Sequence, residues 1–267
     1  MGDLIPLFPL GTPLFPGVVL PLQIFEPRYR RLVRDLLAQP DENTRRFGVV
    51  AIRQGWEVEQ VAPAAALYDV GCTAHVRTVR PQPDGGFRIT TVGGERFRLL
   101  DVHVTQDPPY LRAEVEWLAE EEAAEEAAGD HEVLAAPHDG GVHDKDLDAL
   151  VSDVARSSLE VLVRGVRELF TRYVGAVAGL GVGAPDDEAV ETALLGAVAE
   201  DPRALSYLVA SAALLTTEDR QALLAESATR RRLVTEARLL RRELSLVETI
   251  GAVPAPLQRF AVPRSAN

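Results

Sequence analysis

The amino-terminal segment Leu4–Tyr29 constrains the fold more than any other part of this 267-residue chain, because it carries six prolines. Proline lacks a backbone N–H and fixes φ, so it interrupts helices and is confined to weakly paired positions in sheets. The segment therefore predicts short edge strands joined by fixed turns. Pro27 is suited to the first position of a helix, and apolar residues recur at helical spacing from there to Gln39.

The residues after this helix show the alternating apolar pattern and the glycine-rich turns that are typical of β-strands. Pro83-Asp84-Gly85-Gly86 predicts a hairpin turn, and Gly93-Gly94 predicts a second turn. The predicted strands are Phe47–Ile52, Trp56–Val61, Val70–Val79, Phe87–Val92, Arg96–Thr105 and Tyr110–Leu118. Residues 1–118 are therefore predicted to form a β-rich domain with one helix.

The remainder of the chain divides into three parts. Residues 119–145 predict an acidic, solvated linker, and the segment from Ala119 to Asp148 carries −10 of the net charge of −12. Residues 146–250 show long apolar stripes at helical spacing and predict a helical bundle, which includes a helix start at Thr216–Asp219. Residues 251–267 contain three prolines and predict a loosely ordered tail. The fold class is therefore predicted to be α+β.

Composition excludes several classes of protein. Cys72 is the only cysteine, so an intrachain disulfide or a thiolate metal cluster is excluded. No apolar run approaches the length needed to cross a bilayer, and the prolines argue against a signal peptide. A cytoplasmic location is the expectation. Because most of the negative charge belongs to the predicted linker, the acidity says little about the partners of the folded surfaces.

Five pieces of the sequence resemble one family in the order in which they occur. The opening segment, with Phe-Glu-Pro-Arg-Tyr at its end, resembles the start of the Lon-protease amino-terminal domain, the substrate-recognition module of an ATP-dependent protease. The further pieces are Phe47-Gly48-Val49-Val50, Asp69-Val70-Gly71-Cys72, Gly93-Gly-Glu-Arg-Phe97, and Asp219-Arg-Gln-Ala-Leu-Leu224 with Arg232-Leu233. The resemblance implies a PUA-like β-barrel in the first domain and a role in binding polypeptide substrates.

The two catalytic parts of that protease family, the ATPase and the peptidase, are not expected in this chain. A phosphate-binding loop of the form GxxxxGK[ST] needs a lysine that meets the phosphates, and the peptidase of the family needs a lysine as the base of a serine nucleophile. Lys145 is the sole lysine and lies in the acidic linker. The resemblance is therefore to a stand-alone substrate-binding domain that lacks both the ATPase and the peptidase, and no enzyme activity, catalytic residue or cofactor is predicted.

The candidate polypeptide-binding site is the corner between the predicted second strand and the first helix. Its residues combine aromatic anchors with opposite charges, a composition that is enriched at interfaces. The candidates are Phe25, Glu26, Arg28, Tyr29, Arg96 and Phe97. The competing interpretation is structural: Glu26 pairs with Arg28 or Arg96, while Phe25 and Phe97 fill the core.

Four other motifs favour structural over functional interpretations. His131, His138 and His143 have no rigid spacing for a metal, and the Gly179–Gly183 run follows a helix instead of a strand. Cys72 and His75 would face opposite sides of a strand, which excludes a catalytic pair at these positions. The arginine clusters 230–232 and 241–242 contain interspersed glutamates, so solvated helix faces are favoured over a nucleic-acid site.

The sequence thus predicts a non-catalytic binding protein for exposed or unfolded polypeptides, with a separate protease as a further candidate partner. Neither nucleic acid nor membrane is an expected partner, and monomer and homodimer both remain open. The alternative is a small-ligand sensor or an unrecognised enzyme with a pocket between the β-rich domain and the helical bundle.

Overall fold

The structure is a computed structural model that describes residues 2–53, 64–119, 145–180 and 201–251. The chain divides into two compact units: unit 1 is Met1–Ala119 with Thr217–Ala225, and unit 2 is Glu120–Thr216 with Glu226–Asn267. Unit 1 therefore takes one helix from the region that the sequence analysis assigned to the helical bundle. The predicted strand at 56–61, the interior of the predicted linker and the tail beyond 251 lie outside the described residues.

Unit 1 is built around a β-sheet that closes on itself. Its strands, among the described residues, are β1 (Asp3–Leu10), β2 (Val19–Ile24), β3 (Arg46–Ala51), β4 (Val70–Pro81), β5 (Phe87–His103) and β6 (Arg112–Leu118). The strand order is β2-β5-β4-β3-β1-β6, and β6 also pairs with β5. Five strands thus form a barrel, while β2 extends from the first half of β5. Only the β1–β3 pairing is parallel among these ladders. The predicted α+β fold with a β-rich first part is confirmed.

The prolines of the opening segment occupy positions where only one neighbouring strand is paired. In β1, Asp3–Pro6 pair with β6, whereas Leu7–Leu10 pair with β3. Pro6 and Pro9 therefore each lie in a half of the strand that has a single ladder. β1 as a whole is nevertheless an internal strand, which differs from the predicted edge position. β2 is an edge strand as predicted, since its only described partner is β5, and it contains Pro21.

The prediction of a turn at Gly93-Gly94 is wrong. β5 runs through both glycines as one strand of 17 residues, and Gly93 lies within its ladder opposite Ala74. A Cβ atom at Gly93 would collide with the backbone oxygen of Phe15, and one at Gly94 would collide with the His75 ring. The two glycines therefore permit close approach of neighbouring groups, a use of glycine that the sequence does not distinguish from a turn.

The barrel has a packed interior and a helix on its outside. Buried apolar residues of β1, β3, β5 and β6, together with Leu67 from the segment before β4, fill the interior: Ile5, Leu7, Val50, Leu67, Phe97, Ala113 and Val115. Helix α1 (Pro27–Leu37) begins at Pro27, as predicted, and buries Tyr29, Leu32, Val33 and Leu36. The Tyr29 ring stacks on Phe8 of β1, with 4.0 Å between the centroids. Short 3₁₀ turns occur at Glu42–Thr44 and Ala64–Ala66.

Unit 2 is helical over its described residues. Helix α2 (Lys145–Gly179) and helix α3 (Pro202–Ala212) precede helix α4 (Thr217–Ala225), which belongs to unit 1, and helix α5 (Thr229–Ile250) follows. Asp201 caps α3 by accepting hydrogen bonds from the backbone N–H groups of Arg203 and Ala204. α5 ends at Gly251, whose φ of 66° suits the left-handed conformation of a helix C-cap. The core of unit 2 joins α2, α3 and α5 through Val166, Phe170, Tyr173, Leu205, Leu233, Leu240 and Leu244.

Candidate functional site

The corner between β2 and α1 carries an exposed aromatic residue that is followed directly in the chain by a compact ion pair. β2 ends at Ile24 and α1 begins at Pro27, so the two residues between them make the corner. The Phe25 residue is 63% exposed. Arg28 Nε donates a hydrogen bond of 2.8 Å to Glu26 Oε2. Phe25 does not fill the core, whereas Glu26 does pair with an arginine, so this part of the site combines features of both sequence interpretations.

Tyr29 packs against Arg28 of the corner. The residue is buried, and burial is the main cause of the raised pKa of its phenol. The Arg28 guanidinium lies 4.6 Å from the centroid of the Tyr29 ring, within the range of a cation–π interaction. Arg28 is therefore held by Glu26 on one side and by the Tyr29 ring on another. We refer to Phe25, Glu26 and Arg28, with Tyr29 beneath them, as the corner site.

Arg96 and Phe97 do not join the corner site. Arg96 is 2% exposed and donates hydrogen bonds to the backbone oxygens of Leu224 (2.8 Å) and Ala119 (3.1 Å). Phe97 is fully buried in the barrel interior and meets the edge of Trp117, with 6.4 Å between the ring centroids. The structure therefore brings four of the six predicted residues together and places the other two in the framework of unit 1.

Arg96 holds α4 on the barrel. Leu224 belongs to the last turn of α4, where backbone carbonyls lack helical partners and favour a nearby cation. A second contact comes from buried Gln221, whose side-chain amide donates a hydrogen bond of 2.7 Å to the Val70 oxygen. These two contacts, made by Arg96 and Gln221, were not predicted from the sequence. The available signal was an amide at the spacing of the buried apolar residues of α4, which indicates a polar group with a buried partner.

The outward face of β2, β5 and β4 carries cross-strand rows that sequence analysis also missed. Residues paired directly across antiparallel strands point to the same side of the sheet. The rows are Val19–Val92–His75, Pro21–Thr90–Thr78 and Gln23–Arg88–Arg80. Arg80 and Arg88 are exposed and directly opposite each other, and exposed Arg77 lies at the irregularity after Val76. We call Gln23, Arg80 and Arg88 the basic face.

The described residues do not assemble a recognisable catalytic or metal centre. Cys72 is fully buried, and burial raises the pKa of its thiol to about 12, so a thiolate nucleophile is not available there. The pKa of His75 is lowered, first by burial and then by the charges of Arg46 and Arg77. No group of three metal-ligating side chains occurs within the described ranges, which exclude the three linker histidines. None of the described helices is long and apolar enough to cross a membrane.

Among the carboxylates of the described residues, Glu236 has a clearly raised pKa and lies in the interior of unit 2. Glu236 on α5 is 1% exposed, and burial raises its pKa well above the ordinary value. Ser206 Oγ donates a hydrogen bond of 2.8 Å to Glu236 Oε1, and Arg232 Nε donates one of 2.7 Å to Ser206 Oγ. The Arg232 guanidinium also lies 4.0 Å from the Tyr207 ring centroid. This buried cluster fixes α5 to α3.

The raised pKa of Glu236 predicts a pH-dependent stability for unit 2. A carboxyl whose pKa is higher in the folded state stabilises the fold fully below its unfolded pKa, near 4.3, and this stabilisation is lost as pH rises through the folded pKa. We expect Glu236→Gln to remove that loss, because glutamine stays neutral and its oxygen still accepts from Ser206. The stability of this variant relative to the wild type should therefore increase over the range from about pH 5 upward.

Urea unfolding at several pH values measures this effect, and Glu248→Gln is the matched control. Glu248 lies on the same helix but is exposed and paired with Arg172. Parallel pH profiles for wild type and Glu236→Gln would show that Glu236 does not titrate in this range.

Comparisons with known proteins identify the class of domain. The sequence profile described as the ATP-dependent protease La (LON) substrate-binding domain matches residues 4–242. The chain therefore belongs to the family of Lon substrate-binding domains. It is 29% identical over 259 residues to Lon protease 1 of Herpetosiphon aurantiacus, covering 96% of this chain and 26% of that protein. It is 34% identical over 110 residues to Lon protease 2 of Syntrophobacter fumaroxidans, covering 40% and 13% of the two chains.

Two solved structures share the fold. A Lon N-terminal domain protein from Xanthomonas campestris aligns with a TM-score of 0.51 and 20% identity, covering 90% of this chain and 98% of that one. The N-terminal domain of Lon protease from the Mycobacterium avium complex aligns with a TM-score of 0.54 and 16% identity, with the same coverage. The chain thus spans about a quarter of the length of the Herpetosiphon protease and nearly all of these two structures.

Proposed function

We propose that this protein binds exposed or unfolded polypeptide segments through the corner site and does not itself catalyse a reaction. Membership of the Lon substrate-binding family supports a role in recognising polypeptides. The observation that locates the proposed binding site on the molecule is the exposure of Phe25. This ring is 63% exposed at a corner whose other residues are held in place.

The physical basis of binding is the burial of the Phe25 ring against an apolar side chain of the polypeptide. An aromatic ring offers a large contact area with few rotatable bonds, so little entropy is lost when it binds. Glu26 and Arg28 follow Phe25 by one and three residues on the chain and offer hydrogen-bond acceptors and donors to the backbone of an extended segment. Because the ion pair is partly exposed, its groups can exchange partners at low cost.

The absence of catalysis is part of the same proposal. Lys145, the sole lysine, is not within a phosphate-binding loop, and buried Cys72 is not a reactive thiol. A binding protein of this kind would act by holding a polypeptide for another component, and a separate protease is the partner we propose. Arg96 and Phe97 contribute by maintaining the barrel and by holding α4, not by touching the polypeptide.

The experiment is a binding titration with a neutral, fluorescently labelled peptide that contains one leucine–phenylalanine pair. We expect Phe25→Ala to weaken binding about 30-fold, since truncation of a central aromatic anchor costs roughly 2 kcal/mol. Fluorescence anisotropy measures the dissociation constant, and circular dichroism confirms that the variant is folded.

Leu100→Ala is the matched control for this titration. Leu100 is 53% exposed on β5 of the same unit, so this substitution removes a similar exposed apolar group outside the corner site. Equal loss of affinity in both variants, or no measurable binding by the wild type, would refute the corner site as the place of recognition.

A further inference from the structure

The basic face contains a pairing that a sheet does not favour by itself. Arg80 and Arg88 are directly opposite on β4 and β5, which places their Cβ atoms about 5 Å apart. Like charges in this arrangement destabilise the ladder. Within the described part of the chain, neither arginine forms an ion pair with a carboxylate. Two exposed, adjacent guanidinium groups are therefore available for an anionic ligand.

The surroundings of the basic face add to its positive charge. Arg77 is exposed three residues before Arg80 on the same strand. The carboxylates closest in sequence do not pair with these arginines: Asp84 accepts a hydrogen bond from the Gly86 N–H, and Glu95 pairs with Arg46. This local charge is opposite in sign to the net charge of the chain, which is −12. The basic face is therefore a local feature and not a consequence of a basic composition.

β2 connects the basic face to the corner site, because it contributes Gln23 to the basic face and ends one residue before Phe25. Gln23 completes the row of Arg88 and Arg80, and Phe25 follows it by two residues on the chain. Strands advance about 3.3 Å per residue and lie about 4.8 Å apart. An extended polypeptide with an apolar side chain on Phe25 would therefore reach the two arginines with residues about two to four positions away.

We propose that the basic face binds acidic side chains of a polypeptide whose apolar residue contacts Phe25, so that the domain selects apolar residues flanked by acidic ones. This inference rests on the proposed polypeptide-binding function and names its substrate class. A carboxylate can accept two parallel hydrogen bonds from one guanidinium, which gives each arginine a geometric as well as a charge preference. Glutamate or aspartate at the stated positions satisfies both arginines and removes their mutual repulsion.

An acidic polypeptide fits this surface better than a nucleic acid does. Binding to nucleic acid depends on neutralising many phosphates and releasing their counterions, and the basic face offers two opposed arginines with a third nearby. The net charge of −12 opposes the approach of a polyanion, while a short acidic segment carries much less charge. The described rows of this face carry no Phe, Tyr or Trp ring on which a base could stack, and the His75 imidazole in the row farthest from the arginines is partly buried.

The test compares three labelled peptides that share the leucine–phenylalanine pair and differ only at the flanking positions. One carries three glutamates, one three glutamines and one three lysines. We expect the wild type to bind the glutamate peptide about tenfold more tightly than the glutamine peptide at low salt, because exposed ion pairs each contribute modestly. The difference should shrink as salt is raised to about 0.5 M, where charges are screened over a few ångströms.

A double charge reversal, Arg80→Glu with Arg88→Glu, should reverse the preference so that the lysine peptide binds best. The matched control is Arg203→Glu with Arg238→Glu, which makes the same change in net charge at exposed positions of unit 2. The control should keep the preference of the wild type. Thermal unfolding verifies that both double variants are folded.

The outcomes separate the two proposals. Equal affinity for all three peptides, with a loss in Phe25→Ala, would overturn the acidic preference and leave the polypeptide-binding function intact. Retention of the glutamate preference in the Arg80/Arg88 variant would also overturn it. A short single-stranded RNA that competes as well as the glutamate peptide would assign the basic face to nucleic acid instead. Binding of none of the peptides would refute the proposed function and, with it, this inference.

Discussion

We expect Arg96→Met to lower the free energy of unfolding by about 2–4 kcal/mol and to release α4 from the barrel. Methionine retains most of the apolar stem of the arginine, so the main loss is the guanidinium. Its removal leaves the Leu224 and Ala119 oxygens without these donors, and a buried acceptor without a partner costs roughly 1–3 kcal/mol. The last turn of α4 also loses the cation that complements its carbonyl end.

Urea unfolding gives the loss of stability, and hydrogen exchange of residues 217–225 shows whether α4 is released. Arg98→Met is the matched control, because Arg98 lies two residues along the same strand but is exposed and paired with Glu116. An exposed ion pair contributes at most about 1 kcal/mol, so this control should be nearly neutral. If Arg96→Met and Arg98→Met had equal effects and α4 kept its protection from hydrogen exchange, Arg96 would not be the residue that holds α4 on the barrel.

Local patterns in the sequence predicted most of the individual elements. Helix α1 begins at Pro27 because proline suits the first helical position. β3 follows a short apolar run, and β4 and β6 follow alternating apolar residues. These signals are local, since each depends only on the geometry of one element. The family resemblance, which combines several such pieces in order, predicted the fold class correctly.

Features that depend on pairing over long distances in the chain were not predictable in the same way. Gly93-Gly94 suggested a turn, but these positions lack room for a Cβ atom because Phe15 and His75 approach them from other parts of the chain. α4 lies between two helices of unit 2 in sequence, yet buried groups on the barrel hold it. No periodicity within α4 reports the location of its partners.

The site shows the same division between local and long-range information. Phe25, Glu26, Arg28 and Tyr29 are close in sequence, so their common location follows from one turn of chain. Arg96 and Phe97 were grouped with them by residue type, and their burial depends on strands that surround them. The basic face was not predicted, although the predicted turn at Pro83–Gly86 carried its signal, because a hairpin about that turn places Arg80 opposite Arg88.

We expect Phe97→Ala to destabilise unit 1 by about 3–5 kcal/mol, because it removes a fully buried aromatic ring from the barrel interior. The ring packs where neighbouring strands carry glycine: a Cβ at Gly48 would lie 2.7 Å from its Cζ atom. These close approaches leave little freedom for the surroundings to collapse into the cavity. Urea unfolding measures the loss, and Phe25→Ala is the control because that ring is exposed.

A double-mutant cycle with Gly48→Ala tests whether the Phe97 ring is the reason for the glycine. The three nearest neighbours of the added Cβ are side-chain atoms, from Phe97 and Ile5. Gly48→Ala alone should therefore be destabilising, and its cost should fall or reverse in the Phe97→Ala background, where the methyl group occupies part of the cavity.

Gly71→Ala is the contrasting case, because its Cβ would also meet the backbone oxygen of Val49. Removal of the Phe97 ring cannot relieve that backbone contact, so Gly71→Ala should remain costly in both backgrounds. Additive effects for Phe97→Ala and Gly48→Ala would contradict the packing described for the barrel interior.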